Sequence, residues 1–428
     1  MRVGGSGPGE RGRRTAAVLV GASVVAGAAA CSGGEPEAGD TVRLAVSPVS
    51  GGGKLKPDSQ IDVRSHSGTI ENVTVTTGKG EVEGDLSADR TQWRSRWSLE
   101  PGKTYTVAAT ALGRDGRTRT VSSQFTTAEA AKTNGVTVEA PYNKETVGVG
   151  IPIIMNFKEP VKDRAAVERA LEVTADRTVE GAWHWFSDQQ VVFRTRQYWP
   201  AHTNVRFRAH LAGVRTGGDV YGGKNYAVDF KIGDSHVSTA GEDNHKMVVK
   251  VNGKKVKTIP TSMGRGGSRM YTTTNGVHLT MAKEDPTVMT SSWMGVSPGS
   301  PGGYSLTVYK AVRISNSGEY VHSAPWSVGS QGSENVSHGC INISPSNAKW
   351  FYNLSYRGDP VEVTGTSRKL EPDNGWGFWQ VGWNDWVKGG ALKRPVTTAP
   401  RPDAATLSAQ QGQGAQPKAP HKQGVEGN

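Results

Sequence analysis

The stretch Val336-Ser337-His338-Gly339-Cys340-Ile341-Asn342 decides how the rest of the chain is interpreted. A free thiol is mostly protonated near neutral pH, and a nearby histidine can accept its proton. The glycine beside Cys340 lets the backbone turn, so that successive N–H groups can face a reacting carbonyl oxygen. A second histidine, His322, lies upstream, with fourteen residues between it and Ser337. Two histidines, a glycine and a cysteine in this order predict an acyl-transfer site.

The cysteine content sharpens this interpretation, because the chain has only two cysteines, Cys31 and Cys340. If Cys31 is modified, Cys340 has no disulfide partner. One alternative is an inert buried cysteine, which is common in protein cores. Another is a zinc site that joins Cys340 to His322 and His338, but no second cysteine or paired-histidine spacing supports it. His338 by itself is also compatible with a purely structural histidine.

The first thirty residues have the pattern of an export signal. An apolar run over residues 16–30 is too short to span a bilayer and predicts a signal peptide at 1–30. It ends in Ala28-Ala29-Ala30-Cys31, which is similar to a bacterial lipobox, so we expect lipidation of Cys31 and a short spacer over residues 31–45. A plain signal peptide with an unrelated cysteine, and twin-arginine export, are the alternatives. The basic residues before the run are Arg2, Arg11, Arg13 and Arg14.

Composition argues against nucleic-acid binding and favours β structure. The formal net charge is +11, but the basic residues are spread along the chain and form no basic helix or basic–aromatic motif. A positive surface suits anionic wall polymers and lipid headgroups outside a bacterial cell, and it equally suits simple solubility. Glycine is abundant and hydrophobic residues make up 35% of the chain, which favours small β-rich domains.

Two successive regions, residues 46–127 and 135–233, are predicted to be immunoglobulin-like β-sandwiches joined by a linker at 128–135. In the first region, Trp93 and Trp97 are expected to fill the core. In the second, a short helix is expected over residues 163–171, and the aromatic residues are more readily explained as core than as a glycan-stacking surface. These aromatic residues are Trp183, Trp185, Phe193, Tyr198 and Trp199.

The third region, residues 236–366, is predicted to be β-rich with one helix at 345–353, capped by Ser344 and with Pro345 in its first position. Residues 367–392 carry four tryptophans and are too short to fold alone. We expect them to dock onto the third region. Residues 393–428 are rich in Pro, Ala, Gln and Gly and are predicted to be a disordered tail.

The residues from His322 to Asn342 resemble the signature of the L,D-transpeptidase catalytic (YkuD-type) domain, which has a histidine, a loop of limited length, and then Ser/Thr-His-Gly-Cys-apolar-Asn/Arg. The flanking sequence is similar to that of actinobacterial members with two immunoglobulin-like domains, an anchored N-terminus and a tryptophan-rich C-terminal segment. The resemblance implies a mainly β fold with two immunoglobulin-like sandwiches, a β-rich YkuD-type catalytic domain and a short Trp-rich C-terminal subdomain.

The resemblance also implies roles for individual residues. Cys340 is the expected nucleophile, and His322 the general base, oriented by the Ser323 carbonyl. The Gly339 and Cys340 N–H groups would form an oxyanion hole together with Tyr304. The remaining expected site residues shape the pocket: His338, Asn342 and Ser337 in the motif, and Met289 and Trp326 in its walls.

The implied reaction is the crosslinking of peptidoglycan stem peptides through a thioester on Cys340, with release of D-alanine. Carbapenems are implied as acylating agents, and no cofactor or metal is implied. If water accepts the acyl group, the same site is an L,D-carboxypeptidase. A third possibility is a wall-binding lipoprotein without catalytic activity, against which the intact motif argues. We expect a monomer at the outer face of the membrane; whether the sandwiches bind the wall or act as spacers stays open.

Overall fold

The computed structural model of the chain describes residues 41–400 except residues 52, 79 and 302. The predicted signal peptide, the lipidation site Cys31 and the spacer up to residue 40 lie outside the described residues, as does the tail beyond residue 400. Over the described part, no helix is long and apolar enough to cross a bilayer. The fold is mainly β, as the sequence predicts.

The first sandwich begins inside the predicted spacer, because its first strand starts at Arg43 and pairs with the second. Alternating side chains of its longest strands point inward; in Thr104–Gly113, Tyr105 and Val107 are buried while their neighbours are not. Two four-stranded sheets result, with the orders β1-β2-β6-β5 and β4-β3-β7-β8. Their strands are β1 Arg43–Ser47, β2 Asp62–His66, β3 Gly68–Thr77, β4 Gly80–Glu81, β5 Gly84–Leu86, β6 Gln92–Ser95, β7 Thr104–Gly113 and β8 Thr118–Thr126.

The second sandwich packs the sheet β11-β19-β16-β13 against the sheet β10-β12-β15-β14, beside a small sheet β17-β18-β9. Its first strand lies within the predicted linker and pairs in parallel with β18. The predicted helix is present as α1 and is capped by Asp163, whose side chain accepts the Ala166 N–H. The elements are β9 Lys132–Asn134, β10 Val136–Ala140, β11 Thr146–Val147, β12 Ile153–Phe157, α1 Arg164–Arg169, β13 Leu171–Ala175, β14 Glu180–Trp185, β15 Gln190–Thr195, β16 Asn204–Ala209, β17 Arg215–Gly217, β18 Val220–Gly222 and β19 Tyr226–Ile232.

The aromatic residues follow the core prediction with two exceptions. Trp183, Trp185, Phe193 and Trp199 are buried in the second sandwich, so they cannot form a glycan-stacking surface. Tyr198 is only half-buried. The expectation that Trp97 fills the first core is wrong. Its ring stacks on His210 of the second sandwich, with the centroids 3.8 Å apart, so this tryptophan joins the two sandwiches, while Trp93 is buried in the core.

The catalytic region contains two sheets, β22-β21-β20-β29-β23-β30 and β24-β26-β27-β28, with β25 paired to β26. Helix α2 packs against β26 and β27, and an apolar cluster fills the space between the sheets. The predicted helix cap is confirmed, since Ser344 Oγ accepts the Asn347 N–H at 3.4 Å. The elements are β20 His236–Gly241, β21 Lys246–Val251, β22 Lys254–Pro260, β23 Thr274–Leu279, β24 Ala282–Glu284, β25 Thr287–Thr290, β26 Ser305–Arg313, β27 Tyr320–Ser323, β28 Ile341–Ile343, α2 Pro345–Leu354, β29 Pro360–Thr364 and β30 Arg368–Lys369, with 3₁₀ turns at Arg269–Tyr271, Ser291–Met294 and Pro325–Ser327.

The Trp-rich segment, residues 367–392, docks onto both the third region and the second sandwich, so the prediction that it docks onto the third region is incomplete. On the third region, Arg368–Lys369 pairs with β23, and Gln380 Nε2 donates to the Val277 carbonyl at 3.1 Å. On the second sandwich, the outward side chain Arg194 of β15 is buried under the rings of Trp379 and Trp386, at 4.7 and 4.5 Å. The Trp386 indole N–H also donates to the Ala182 carbonyl at 2.9 Å. The segment forms a 3₁₀ turn, Gly377–Gln380, and helix α3, Trp383–Lys388.

The ordered chain continues beyond the predicted start of the tail at residue 393. A last strand, β31 Val396–Thr397, pairs with β14 and extends the outer sheet of the second sandwich. The Thr398 hydroxyl accepts the Val179 N–H at 2.9 Å and is fully buried. The predicted start of the disordered tail at residue 393 is therefore wrong. Residues whose composition indicates disorder instead form a strand that pairs with β14 at the edge of the second sandwich.

Candidate active site

The loop that carries the motif is fixed by a neighbouring segment that follows β22. Ser262 and Asn342 exchange two backbone hydrogen bonds of 3.0 and 2.9 Å, and the Ser337 N–H donates to the Met263 carbonyl at 2.9 Å. The Asn335 side chain in turn accepts the Met263 N–H at 2.8 Å. These backbone contacts give the loop before Cys340 a defined path without regular secondary structure.

Cys340 and His322 are brought together by two parallel strands. In the register of β27 and β28, Val321 is opposite Ile341 and His322 is opposite Asn342. Cys340 immediately precedes β28, so continuation of this register puts it beside Tyr320, and His322 lies two residues further along the neighbouring strand β27. The predicted nucleophile and base therefore belong to one site.

The Cys340 thiol is largely enclosed, although the residue as a whole is half-buried. It donates to the Gly318 carbonyl at 3.6 Å, and its sulfur lies 4.0 Å from Met289 Sδ. Burial raises the pKa of Cys340 to about 12; the hydrogen bond from the Tyr320 backbone N–H opposes this rise and the Glu319 carboxylate adds to it. At neutral pH the resting group is a thiol.

The His322 ring is buried, and its Nδ1 lies 2.9 Å from the Ser323 carbonyl oxygen, as the resemblance implies. Because a carbonyl only accepts, Nδ1 carries the proton, and the neutral ring keeps its lone pair on Nε2. Burial lowers the pKa of His322 to about 4, against the hydrogen bonds to Ser323 and Asn342, which raise it. The resting pair is thus a neutral thiol and a neutral imidazole.

Gly339 has φ +129°, a conformation that only glycine adopts readily, so the loop requires this residue. Its N–H donates to Ser337 Oγ at 3.1 Å, and Ser337 Oγ donates to the Cys340 carbonyl at 2.7 Å. The structure thus differs from the expected oxyanion hole, because the Gly339 N–H is engaged inside the loop. Ser337 is a bracing residue of the turn and is itself buried.

His338 lies in a layer of rings beside the motif. It stacks on Tyr304 at 4.8 Å and meets Tyr271 edge-on at 5.3 Å. Its Nε2 accepts a hydrogen bond from the Arg265 guanidinium at 3.2 Å. Burial lowers the pKa of His338, and the Arg265 charge lowers it further, so this histidine lines the site as a neutral ring.

The other expected site residues have clear positions. Met289 on β25 contacts Cys340, and Trp326 is 53% exposed, with its ring 5.9 Å from that of His322. Asn342 is buried, hydrogen-bonds the His322 ring and donates to Ser327 Oγ at 3.1 Å, which ties His322 to the turn after β27. All predicted site residues within the described chain therefore lie around Cys340 and His322.

Several residues of the site have no signal in the sequence. Arg265 and Tyr271 contact His338 from a loop far away in the chain, and Thr273 donates its hydroxyl proton to the Gly339 carbonyl at 2.8 Å. Gly318 and Glu319 directly precede the strand of His322, which is the only hint of their position. Over the described residues, no group of three His, Cys, Asp or Glu side chains could hold a metal ion.

Comparisons with known proteins agree with this geometry. Residues 236–363 match the model of the L,D-transpeptidase catalytic domain, and residues 53–215 match that of a bacterial Ig domain. The chain is 38% identical over 352 residues to L,D-transpeptidase 2 of Mycobacterium tuberculosis (strain CDC 1551 / Oshkosh), covering 82% of this chain and 85% of that protein. It is 36% identical over 361 residues to L,D-transpeptidase 5 of strain ATCC 25618 / H37Rv, covering 83% and 78%.

A solved structure of the L,D-transpeptidase LdtMt1 in complex with imipenem is also similar, with 39% identity and a TM-score of 0.47, over 54% of this chain and 99% of that chain. The two curated relatives extend over the sandwiches as well as the catalytic region, since most of both chains is aligned. The chain is therefore an enzyme of the L,D-transpeptidase family, with a YkuD catalytic domain that follows immunoglobulin-like sandwich domains.

Proposed function

We propose that this enzyme crosslinks peptidoglycan by joining the position-three diamino acids of two stem peptides. The observation that carries the proposal is the parallel pairing of β27 and β28, in which His322 lies on β27 and Cys340 directly precedes the neighbouring strand β28. The relatives with this catalytic domain are named as L,D-transpeptidases. The proposal extends that activity to a defined donor, acceptor and leaving group.

In the first half-reaction the Cys340 sulfur attacks the carbonyl carbon of the donor's third residue. Because the thiol and the imidazole are both neutral at rest, the proton moves to His322 Nε2 as the carbon–sulfur bond forms. The amide bond to the terminal D-alanine then breaks, and His322 returns its proton to the leaving amine. The products are free D-alanine and a thioester on Cys340.

In the second half-reaction an amine of the acceptor's diamino acid attacks the thioester. Its proton passes to His322 and then to the departing sulfur, which restores the thiol. One amide bond has broken and one has formed, so no cofactor or external energy source enters the balance. Water in place of the amine would give the carboxypeptidase product instead.

The tetrahedral intermediate needs hydrogen-bond donors for its oxyanion. We assign this role to the Cys340 backbone N–H and the Tyr304 hydroxyl. The Gly339 N–H can join them only if it leaves Ser337 Oγ, to which it donates at 3.1 Å. Tyr304 stacks on His338, so the His338 ring helps to position the Tyr304 hydroxyl.

Two further parts of the proposal rest on sequence and on a relative. The first is acylation of Cys340 by carbapenems, supported by the imipenem complex of LdtMt1. The second is a lipid anchor on Cys31 that holds a monomeric enzyme at the outer face of the membrane, supported by the lipobox-like residues 28–31. Metabolic labelling with a radioactive fatty acid tests the anchor, with Cys31→Ser as the unlabelled control.

The deciding experiment incubates the purified chain with disaccharide-tetrapeptide and analyses the products by mass spectrometry. We expect dimers and one released D-alanine per crosslink from the native chain, and none from Cys340→Ala. Accumulation of tripeptide monomers without dimers would assign the site to a carboxypeptidase. Crosslinking by Cys340→Ala that equals the native level would refute the proposed nucleophile.

A further inference from the structure

Glu319 is a buried carboxylate beside the nucleophile, and the proposed mechanism does not use it. The residue is 3% exposed and ends the turn between β26 and β27. Its neighbours on both sides contact the sulfur: the Gly318 carbonyl accepts the thiol hydrogen at 3.6 Å, and the Tyr320 N–H donates to the sulfur. Glu319 therefore lies between the two residues whose backbone groups contact the thiol.

The Glu319 side chain is anchored to one residue of a different element. Thr274, the first residue of β23, donates its N–H to Oε1 and its hydroxyl to Oε2, both at 2.7 Å. The Ser317 hydroxyl donates to Oε2 at 3.3 Å. Buried polar groups keep such partners because an unpaired carboxylate away from water is costly.

The adjacent residue Thr273 holds the other half of the site. Its hydroxyl donates to the Gly339 carbonyl at 2.8 Å and accepts the Gly264 N–H at 2.9 Å. A Cβ built on Gly339 would lie 3.8 Å from Glu319 Cγ, so the carboxylate side chain runs alongside the motif loop. The adjacent residues Thr273 and Thr274 thus tie the motif loop and the β26–β27 turn to the start of β23.

We propose that Glu319 is a positioning residue for the nucleophile: anchored to Thr274, it holds the Gly318 carbonyl and the Tyr320 N–H against the Cys340 sulfur, and its negative charge opposes formation of a thiolate before substrate is bound. The first role is geometric and the second electrostatic. The electrostatic role agrees with the direction in which Glu319 moves the pKa of Cys340, which is upward. A thiol that stays protonated is less open to oxidation outside the cell.

Two variants separate the roles. Glu319→Gln keeps the size and one acceptor oxygen but removes the charge, while Glu319→Ala removes the anchor as well. Glu334→Gln, an exposed residue of the loop between His322 and Ser337, is the control for a change of one charge. Unfolding midpoints of the full-length variants show whether each folds.

The first measurement is the pH dependence of Cys340 alkylation by iodoacetamide, followed by mass spectrometry on the peptide that carries Cys340. We expect the alkylation midpoint of Glu319→Gln to move to lower pH, with alkylation about three- to tenfold faster at about pH 8. Glu334→Gln should superimpose on the native chain. A Glu319→Gln profile that coincides with the native one would overturn the electrostatic role.

The second measurement, crosslinking of disaccharide-tetrapeptide, rests on the proposed function. Glu319→Ala should lower kcat by about tenfold or more with KM within about twofold, and Glu319→Gln should restore most of kcat, because the anchor survives. A native kcat in Glu319→Ala overturns the geometric role. If the native chain itself forms no dimers, the proposed function fails, while the alkylation measurement still decides the effect of Glu319 on the thiol.

Discussion

Arg357 of the catalytic region and Glu145 of the second sandwich form a salt bridge in which Arg357 Nη1 donates to both carboxylate oxygens, at 3.1 and 3.0 Å. The guanidinium also lies over the rings of Tyr142 and Trp376, at 4.2 and 5.1 Å, and its Nε donates to the Met281 carbonyl at 2.9 Å. One side chain therefore joins the second sandwich, the catalytic region and the Trp-rich segment, and the catalytic region is not loosely tethered.

Removal of this contact should destabilise the junction. Arg357→Met leaves the Glu145 carboxylate partly buried without its partner, so we expect a loss of about 2–3 kcal/mol in the free energy of unfolding. Arg357→Lys keeps the charge but not the planar donor group, and should cost about half as much. Denaturant unfolding of both variants, of Glu145→Gln and of the double variant Arg357→Met/Glu145→Gln measures the loss in the free energy of unfolding. If the loss in the double variant equals the sum of the two single losses, the two side chains are not directly coupled.

Trp386 of the Trp-rich segment and Trp326 of the turn after β27 make a matched pair for mutation. Trp386 is fully buried, whereas Trp326 beside His322 is 53% exposed. Trp386→Ala should cost about 3–5 kcal/mol because it opens a cavity and frees a buried carbonyl. Trp326→Ala should cost about 0.5 kcal/mol or less, yet slow acylation by imipenem. Thermal unfolding checks the first expectation, and equal midpoints for the two variants would show that the segment does not stabilise the sandwich.

Much of the fold can be predicted from the sequence where the physics is local. The alternation in Thr104–Gly113, the helix cap at Ser344 and the buried aromatics of the second sandwich each depend on a few neighbouring residues. The docking of the Trp-rich segment onto the second sandwich depends instead on the outward face of β15. Nothing in the composition of residues 367–392 specifies that face. In the same way, the sequence around Trp97 does not specify that its ring stacks on His210 of the second sandwich instead of packing in the core of the first.

The residues of the site also separate into those that local sequence predicts and those that depend on contacts between distant parts of the chain. Cys340 is predicted because a thiol beside a histidine and a glycine indicates acyl transfer, and the roles of His322 and Ser337 are implied by the resemblance to the family motif. Thr274 and Glu319 are not predicted, because their contact joins residues far apart in the chain through the start of β23. The Gly339 N–H shows a further limit, since the motif predicts a donor to substrate while the fold gives that donor to Ser337.

Asn342 should act on the reaction through the base. It hydrogen-bonds the His322 ring and donates to Ser327 Oγ at 3.1 Å. Asn342→Ala removes both contacts. The hydrogen bond from Asn342 raises the pKa of His322, so its loss lowers that pKa and makes the ring a weaker base. The ring is also held less firmly in its orientation. We expect imipenem acylation to slow by about tenfold, since a lost buried hydrogen bond costs about 1–3 kcal/mol.

Ser327→Ala is the control for that variant, because it removes only the outer of the two contacts. Its acylation rate should stay within about threefold of the native rate. Stopped-flow fluorescence during imipenem acylation gives the rates. A larger effect of Ser327→Ala than of Asn342→Ala would show that the turn after β27, and not the contact with His322, is what matters.

The pH profile of acylation tests the neutral resting pair. Burial lowers the pKa of His322 to about 4 and raises that of Cys340 to about 12, so between those limits neither His322 nor Cys340 changes its protonation in the free enzyme. The native acylation rate should be flat from about pH 6 to pH 9 and should fall below about pH 5, where His322 begins to bind a proton. His66→Ala, an exposed histidine of the first sandwich, should give the same profile.

His322→Ala must react through a thiolate that forms without a base, so its rate should be lower by about 10²- to 10⁴-fold and should rise about tenfold per pH unit. The dependence of the acylation rate on pH, compared between the native chain and His322→Ala, distinguishes a neutral thiol–imidazole pair from a preformed thiolate–imidazolium pair. A preformed ion pair would make the native rate change with pH near neutrality. A native rate that climbs steadily between about pH 7 and pH 9 would mean that ionisation of Cys340, and not proton transfer to His322 during attack, governs acylation.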